Sequence, residues 1–92
     1  MIGFIVHAKK DYVGVAVKDI RKGENLEGWC MEDDATMTLT ANKEIPLGHK
    51  IAIEKIRRDG AVIKYGVSIG RATEDISVGD HVHTHNLKTA RW

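Results

Sequence analysis

Ninety-two residues, with 14 Lys+Arg against 13 Asp+Glu, carry a net charge of +1. A chain of this length buries roughly 60–65% of the surface its unfolded form exposes, so a single domain spanning 1–92 with a modest core is expected, and a partner subunit would add to that core. The charge balance gives no electrostatic case for nucleic acid or an anionic membrane, and the single cysteine, Cys30, excludes an internal disulfide and fits a reducing cytoplasm.

The N-terminal apolar run, Ile2–Val6, is too short for a signal-peptide core or a membrane span. The apolar stretches that follow are short, β-branched and flanked by glycine, which reads as an all-β domain. In chain order the expected strands are Ile2–His7, Tyr12–Val17, Ala35–Ala41, Lys50–Ile56, Ala61–Tyr65 and His81–His85. Within Lys50–Ile56, Ile51, Ile53 and Ile56 fit both periods, and the alternation of Ile51 and Ile53 favours strand. Gly60 supplies the turn to the next strand. Three segments rhyme as acidic-Ile-x-x-Gly: Asp19–Gly23, Glu44–Gly48 and Asp75–Gly79. Each sets an apolar anchor before a turn whose glycine can take positive φ. Chance recurrence of turn chemistry and a fold of repeated strand–turn units both account for the rhyme. Pro46 sits in one of these turns, and no linker or low-complexity tract interrupts the chain.

Chemistry gathers toward the C-terminus. From Lys50 onward the basic residues are Lys50, Lys55, Arg57, Arg58, Lys64, Arg71, Lys88 and Arg91, against Glu54, Asp59, Glu74, Asp75 and Asp80. A small anionic ligand suits this half. His81, His83 and His85 occupy alternate positions and share a face if the segment is extended. Same-face neighbours lie about 7 Å apart, and His81 to His85 about 13 Å on a straight strand. Two ligands at most are therefore expected from the row, with the third imidazole turned toward substrate or standing behind the ligands. Asp80 is the one carboxylate close by in sequence. So incomplete a shell points to an open position or to ligands from another chain; a solvated or interface row of histidines is the other reading. His49, after Gly48, is either an acid/base group or, more commonly for such a place, a turn residue. Lys64 and Arg71, with Gly66 and Gly70 beside them, could hold a carboxylate or sulfonate; solvated cations at an ordinary turn are the simpler reading. Cys30, between Trp29 and Met31, reads as a small buried side chain. No phosphate loop, dinucleotide fingerprint or Ser/His/Asp pattern is found.

Taken in order, Ile45–Ala52, Val62–Gly66, Ile69–Ala72 and His81–Asn86 resemble the small N-terminal domain of the altronate/galactarate dehydratase family, a SAF-type module of the β-clip fold. The likeness runs from about Ile45 to Arg91 and is weaker upstream. In that family the module is fused to a large catalytic region or stands as a separate small subunit. A chain ending at Trp92 resembles the separate form, and its ending looks most like the small subunits of the family's sulfo-lyases, with the sugar-acid dehydratases next. The resemblance implies elimination of a leaving group β to a carboxylate. It also implies a divalent metal, Fe²⁺ or Mn²⁺, shared with a large catalytic subunit. On that reading His81 and His83 are metal ligands and His83 and His85 act in catalysis. Lys64, Arg71, Asn86 and Lys88 then bind a small anionic hydroxy-acid, with Arg91 a further cation. The chain holds too few bases and carboxylates to act alone, so it is expected to be inactive in isolation; a homo-oligomer is a further option. The rival class is a non-catalytic SAF-type carbohydrate-binding module, which has no use for the histidine run.

Overall fold

A computed structural model describes residues 1–89. The expected cation Arg91 lies outside the described residues. The strands are β1 (Ile2–Val6), β2 (Val13–Ala16), β3 (Asn25–Cys30), β4 (Thr36–Thr40), β5 (Lys50–Ala52), β6 (Ala61–Lys64), β7 (Val67–Ala72), β8 (His81–Val82) and β9 (Leu87–Thr89). Among the described residues there is no helix, and so none long and apolar enough to cross a membrane. The all-β expectation holds. One sheet runs β4-β3-β1-β2-β5-β8 and the other β6-β7-β9. Neighbours are antiparallel except β1 and β3, which are parallel.

The acidic-Ile-x-x-Gly rhyme is architectural. Ile20 bridges Ile45, and Ile56 bridges Ile76; all four are at most 3% exposed. The acid at the head of one turn caps the bridged partner. Asp19 Oδ1 accepts the Leu47 N–H at 2.9 Å, and Asp75 Oδ1 accepts the Arg58 N–H at 2.8 Å. Gly23, Gly48 and Gly79 all adopt positive φ, where a side chain would be strained. The first bridge lies in a core with Phe4, Val6, Leu26 and Ile51; the second lies in a core with Val13, Val62, Ala72 and Val82. Two bridged turn pairs thus anchor two small cores.

Three strands were not legible in the sequence. In β3 the inward residues are Leu26, Gly28 and Cys30, and the central glycine hides the alternation. A Cβ on Gly28 would fall within the Phe4 ring, so the gap in the pattern is the space that ring fills. β7 follows a two-residue turn with positive φ at both Tyr65 and Gly66. Such turns are signalled by Asn-Gly or Asp-Gly, which Tyr-Gly does not match. β9 is three residues long. Conversely, Lys50–Ile56 is a strand only to Ala52, because Ile56 is spent on its bridge to Ile76. The expected strand His81–His85 ends at Val82, and a turn begins at His83.

Candidate functional site

That early ending builds the site. β8 pairs with β5 through Lys50↔Val82 and Ile51↔His81. Extending the antiparallel register by one step sets His49 opposite His83. The two imidazoles stack, with ring centroids 4.1 Å apart and planes 17° from parallel. By strand alternation His81 shares that face, and its Nε2 lies 2.8 Å from His49 Nδ1. One nitrogen each from His49, His81 and His83 fall within 4.8 Å of one another. His49 is fixed by backbone on both sides: its N–H donates to the Pro46 carbonyl, and its carbonyl accepts the Ala16 N–H. The turn that ends in Gly48 is therefore what delivers His49 to the group.

Past Val82 the chain is folded back by Asn86. Its Oδ1 accepts the His83 N–H at 2.9 Å, its Nδ2 donates to the His81 carbonyl at 2.7 Å, and its own N–H donates to the His83 carbonyl. Asn86 is 3% exposed. The residue expected to touch substrate instead has both ends of its amide engaged by backbone and shapes the histidine turn. Asn86→Ala leaves the His83 N–H and the His81 carbonyl without those partners. It should cost about 2 kcal/mol, measured as a lower urea midpoint at unchanged slope.

The turn also carries His85 back toward His81, with centroids 5.1 Å apart. These two line a cavity of about 340 Å³ with Lys43, Glu74, Asp80 and Asn86. The Asp80 carboxylate is already committed, accepting the Ser77 N–H at 2.8 Å and an Asn42 amide hydrogen at 3.0 Å. Among the described residues the donor cluster is all nitrogen.

Both His81 and His83 are held below the ordinary imidazole range. For His81 the causes are loss of water, then the charges of His85, His49 and His83; for His83 they are loss of water, then His49, Lys50 and His85. Neutral imidazoles are the metal-binding form. The sign of the pH effect follows. Above about pH 6.5 these groups are neutral in folded and unfolded chains alike and contribute no pH dependence. Below it the unfolded chain takes up protons that the folded chain refuses, so stability falls on acidification. Urea midpoints measured from pH 7.5 to 5 should drop, and His81→Gln/His83→Gln should flatten the drop.

The remaining expected site residues lie elsewhere. Arg71 and Lys88 face each other in the β7–β9 register and line a cavity of about 410 Å³ that holds no histidine. Gly70 serves this sheet rather than a ligand, since a Cβ there would strike the Lys88 carbonyl. Lys64 pairs with His7, its Nζ 2.6 Å from the ring Nδ1. No sequence signal marked His7, which is 57 positions away. Cys30 is buried, as expected.

Comparison with known proteins places these features in context. The family model for the altronate/galactarate dehydratase SAF domain matches residues 2–90. The (2R)-sulfolactate sulfo-lyase subunit alpha of Chromohalobacter salexigens is 47% identical over 92 residues, covering 99% of this chain and 98% of that protein. The protein of the same name from Paracoccus pantotrophus is 48% identical over 60 residues, 65% of this chain and 90% of its own length. The altronate dehydratase of Bacillus subtilis is 40% identical over 89 residues, which are 97% of this chain but 17% of that enzyme.

Proposed function

This chain belongs to the altronate/galactarate dehydratase SAF-domain family, and on that premise we propose that it is the small subunit of a lyase that expels a leaving group β to a carboxylate, with (2R)-sulfolactate sulfo-lyase the favoured activity. One observation carries the choice: the end-to-end match to a sulfo-lyase subunit alpha, against a match to about a sixth of an altronate dehydratase. The word subunit in that relative's name supports a second, larger chain as partner.

The donor set suits a divalent cation. Its three imidazoles are poised within reach of one ion, and two are held neutral. All-nitrogen donors favour iron over the oxygen-seeking manganese. When bound, such a cation supplies Lewis-acid stabilisation to the negative charge that grows on the substrate carboxylate as the α-proton leaves. His49, His81 and His83 would hold it, and the partner chain would complete the shell. His85, beside the group and lining its cavity, is suited to move a proton at the leaving group. Arg71 and Lys88 line a separate cavity, where they offer a forked and a point cation to a small anion.

The test is co-expression with a large dehydratase-like subunit. Sulfite release from sulfolactate by the pair, with none by the isolated chain, is the expected result. Water loss from altronate or galactarate in place of sulfite release would transfer the chain to that branch. Full turnover by the isolated chain would refute the subunit reading.

A further inference from the structure

The outer face of the three-stranded sheet gathers charge that the fold does not neutralise. Arg71 on β7 stands directly opposite Ala61 on β6 and Lys88 on β9. Residues directly opposite one another share a face, so Ala61, Arg71 and Lys88 form one row across three strands. The small Ala61 side chain leaves room beside the guanidinium. Like charges set opposite each other destabilise a sheet. Among the described residues, neither Arg71 nor Lys88 has a carboxylate within ion-pairing distance.

A β-bulge adds a hydroxyl to the row. Val62 pairs with Gly70 but Ile63 pairs with Ser68, so Ile69 is the extra residue of β7. In a regular strand Ser68 and Arg71, three positions apart, would point to opposite faces. The bulge sets Ser68 opposite Ile63 and Arg71 opposite Ala61, which places both on the outer face, while Ile69 packs against the second core. Bulges commonly re-aim a side chain beside a functional site. Ser68, Arg71 and Lys88 line one cavity of about 410 Å³, with Asp59 also in its lining. The Ser68 hydroxyl donates to the Gly70 carbonyl at 3.1 Å, long for a bond between oxygens and easily exchanged for a charged acceptor.

We propose that this face is a binding site for an oxyanion with three or four oxygens on sulfur or phosphorus: sulfate, sulfite, phosphate or the sulfonate of an organic acid. The Arg71 fork takes two oxygens, the Ser68 hydroxyl takes a third, and the Lys88 amine supplies a point charge beside them. The Asp59 carboxylate opposes the anion, but two cations against one acid leave the cavity attractive. A planar carboxylate fills the fork and has no oxygen left for Ser68. The site deepens the lyase reading, whose expelled sulfite belongs to this class of anion. It stands on this sheet alone, since no histidine lines the cavity.

The test is ¹H–¹⁵N NMR titration of the full chain with sodium sulfate at fixed ionic strength, with chloride as the control salt. Signals of Ser68, Gly70, Arg71 and Lys88 should shift and saturate. Arg71→Gln should weaken sulfate binding about tenfold or more and Ser68→Ala about threefold. Asp59→Asn should tighten it about threefold, and asparagine tolerates the positive φ of that position. His81→Gln/His83→Gln should leave it unchanged. Acetate should bind more weakly than sulfate. Methanesulfonate matching sulfate assigns the site to organic sulfonates, and a tenfold preference for sulfate assigns it to the free oxyanion. Shifts that do not saturate, or that chloride reproduces, overturn the site. So does unchanged affinity in both Arg71→Gln and Asp59→Asn, a loss in the histidine variant, or acetate binding as tightly as sulfate. A co-expressed pair that turns over none of the acids, while this chain still binds sulfate, counts against the lyase reading alone; an active pair whose small chain shows no saturable binding counts against this site alone.

Discussion

If the proposed metal-dependent lyase reading holds, His49→Ala should lower divalent-metal affinity about a hundredfold and remove turnover from the assembled enzyme, although His49 lies outside the histidine run. The group formed by His49, His81 and His83 gathers three nitrogens within 4.8 Å. Structural metal sites with four ligands bind with roughly 10–16 kcal/mol, so each ligand carries about 3 kcal/mol, or two orders of magnitude. Titration calorimetry with Fe²⁺ under anaerobic conditions, or competition with a chromogenic chelator, measures the loss directly. His85→Ala is the contrast. Its ring neighbours His81 but is absent from the nitrogen cluster, so affinity should change by less than about tenfold, the lower end of the effect of groups one step removed from a metal. Equal losses for His49→Ala and His85→Ala would refute the assignment of His49. The pH dependence adds a check. Because His81 and His83 are held neutral, affinity should be flat above neutrality and fall only in acid.

Phe4→Ala has the largest expected effect on folding. Phe4 is the chain's one phenylalanine and is fully buried. It pairs with Gly28 on β3 and Ala16 on β2, and a Cβ on Gly14 would press its ring from a third side. A large ring set among three small residues fills the middle of the six-stranded sheet. Truncating it should cost about 3–5 kcal/mol. The whole chain, at about 0.05–0.15 kcal/mol per residue, has roughly 5–14 kcal/mol to lose. The melting temperature should fall on the order of 20 °C. Coupling makes the prediction sharper. Gly28→Ala collides with the ring and should destabilise the wild type by about 1–3 kcal/mol, yet be nearly neutral or favourable once Phe4 is alanine. A double-mutant cycle with no coupling would contradict this packing.

The class of fold and the place of the chemistry could be read along the chain. Short β-branched runs separated by glycine mean strands whatever their partners, because period-2 burial is a local property. The Asp19–Gly23, Glu44–Gly48 and Asp75–Gly79 rhyme marked turns correctly, since a positive-φ glycine after an apolar anchor is likewise local. The motifs from Ile45 to Asn86 carried the family, and the alternate histidines marked a centre of chemistry. What the sequence left open is whatever depends on one strand meeting another. Gly28 conceals β3, because its apolar partner is the Phe4 ring on a neighbouring strand. His49 becomes part of the histidine group only through the β5–β8 register, which sets it against His83 across 34 positions of sequence. The straight-strand estimate for His81–His85 failed because Asn86 folds the segment after Val82 with side-chain hydrogen bonds that no periodicity reveals. His7 and Lys64 meet across 57 positions because Val13, Val62 and Ala72 share one core and the Tyr12 N–H donates to the Ile63 carbonyl, which brings the end of β6 to the loop after β1. Residue types and their spacing determined which chemistry this chain can hold; strand register and turn closure decided which side chains share it, because only folding turns distance along the chain into distance in space.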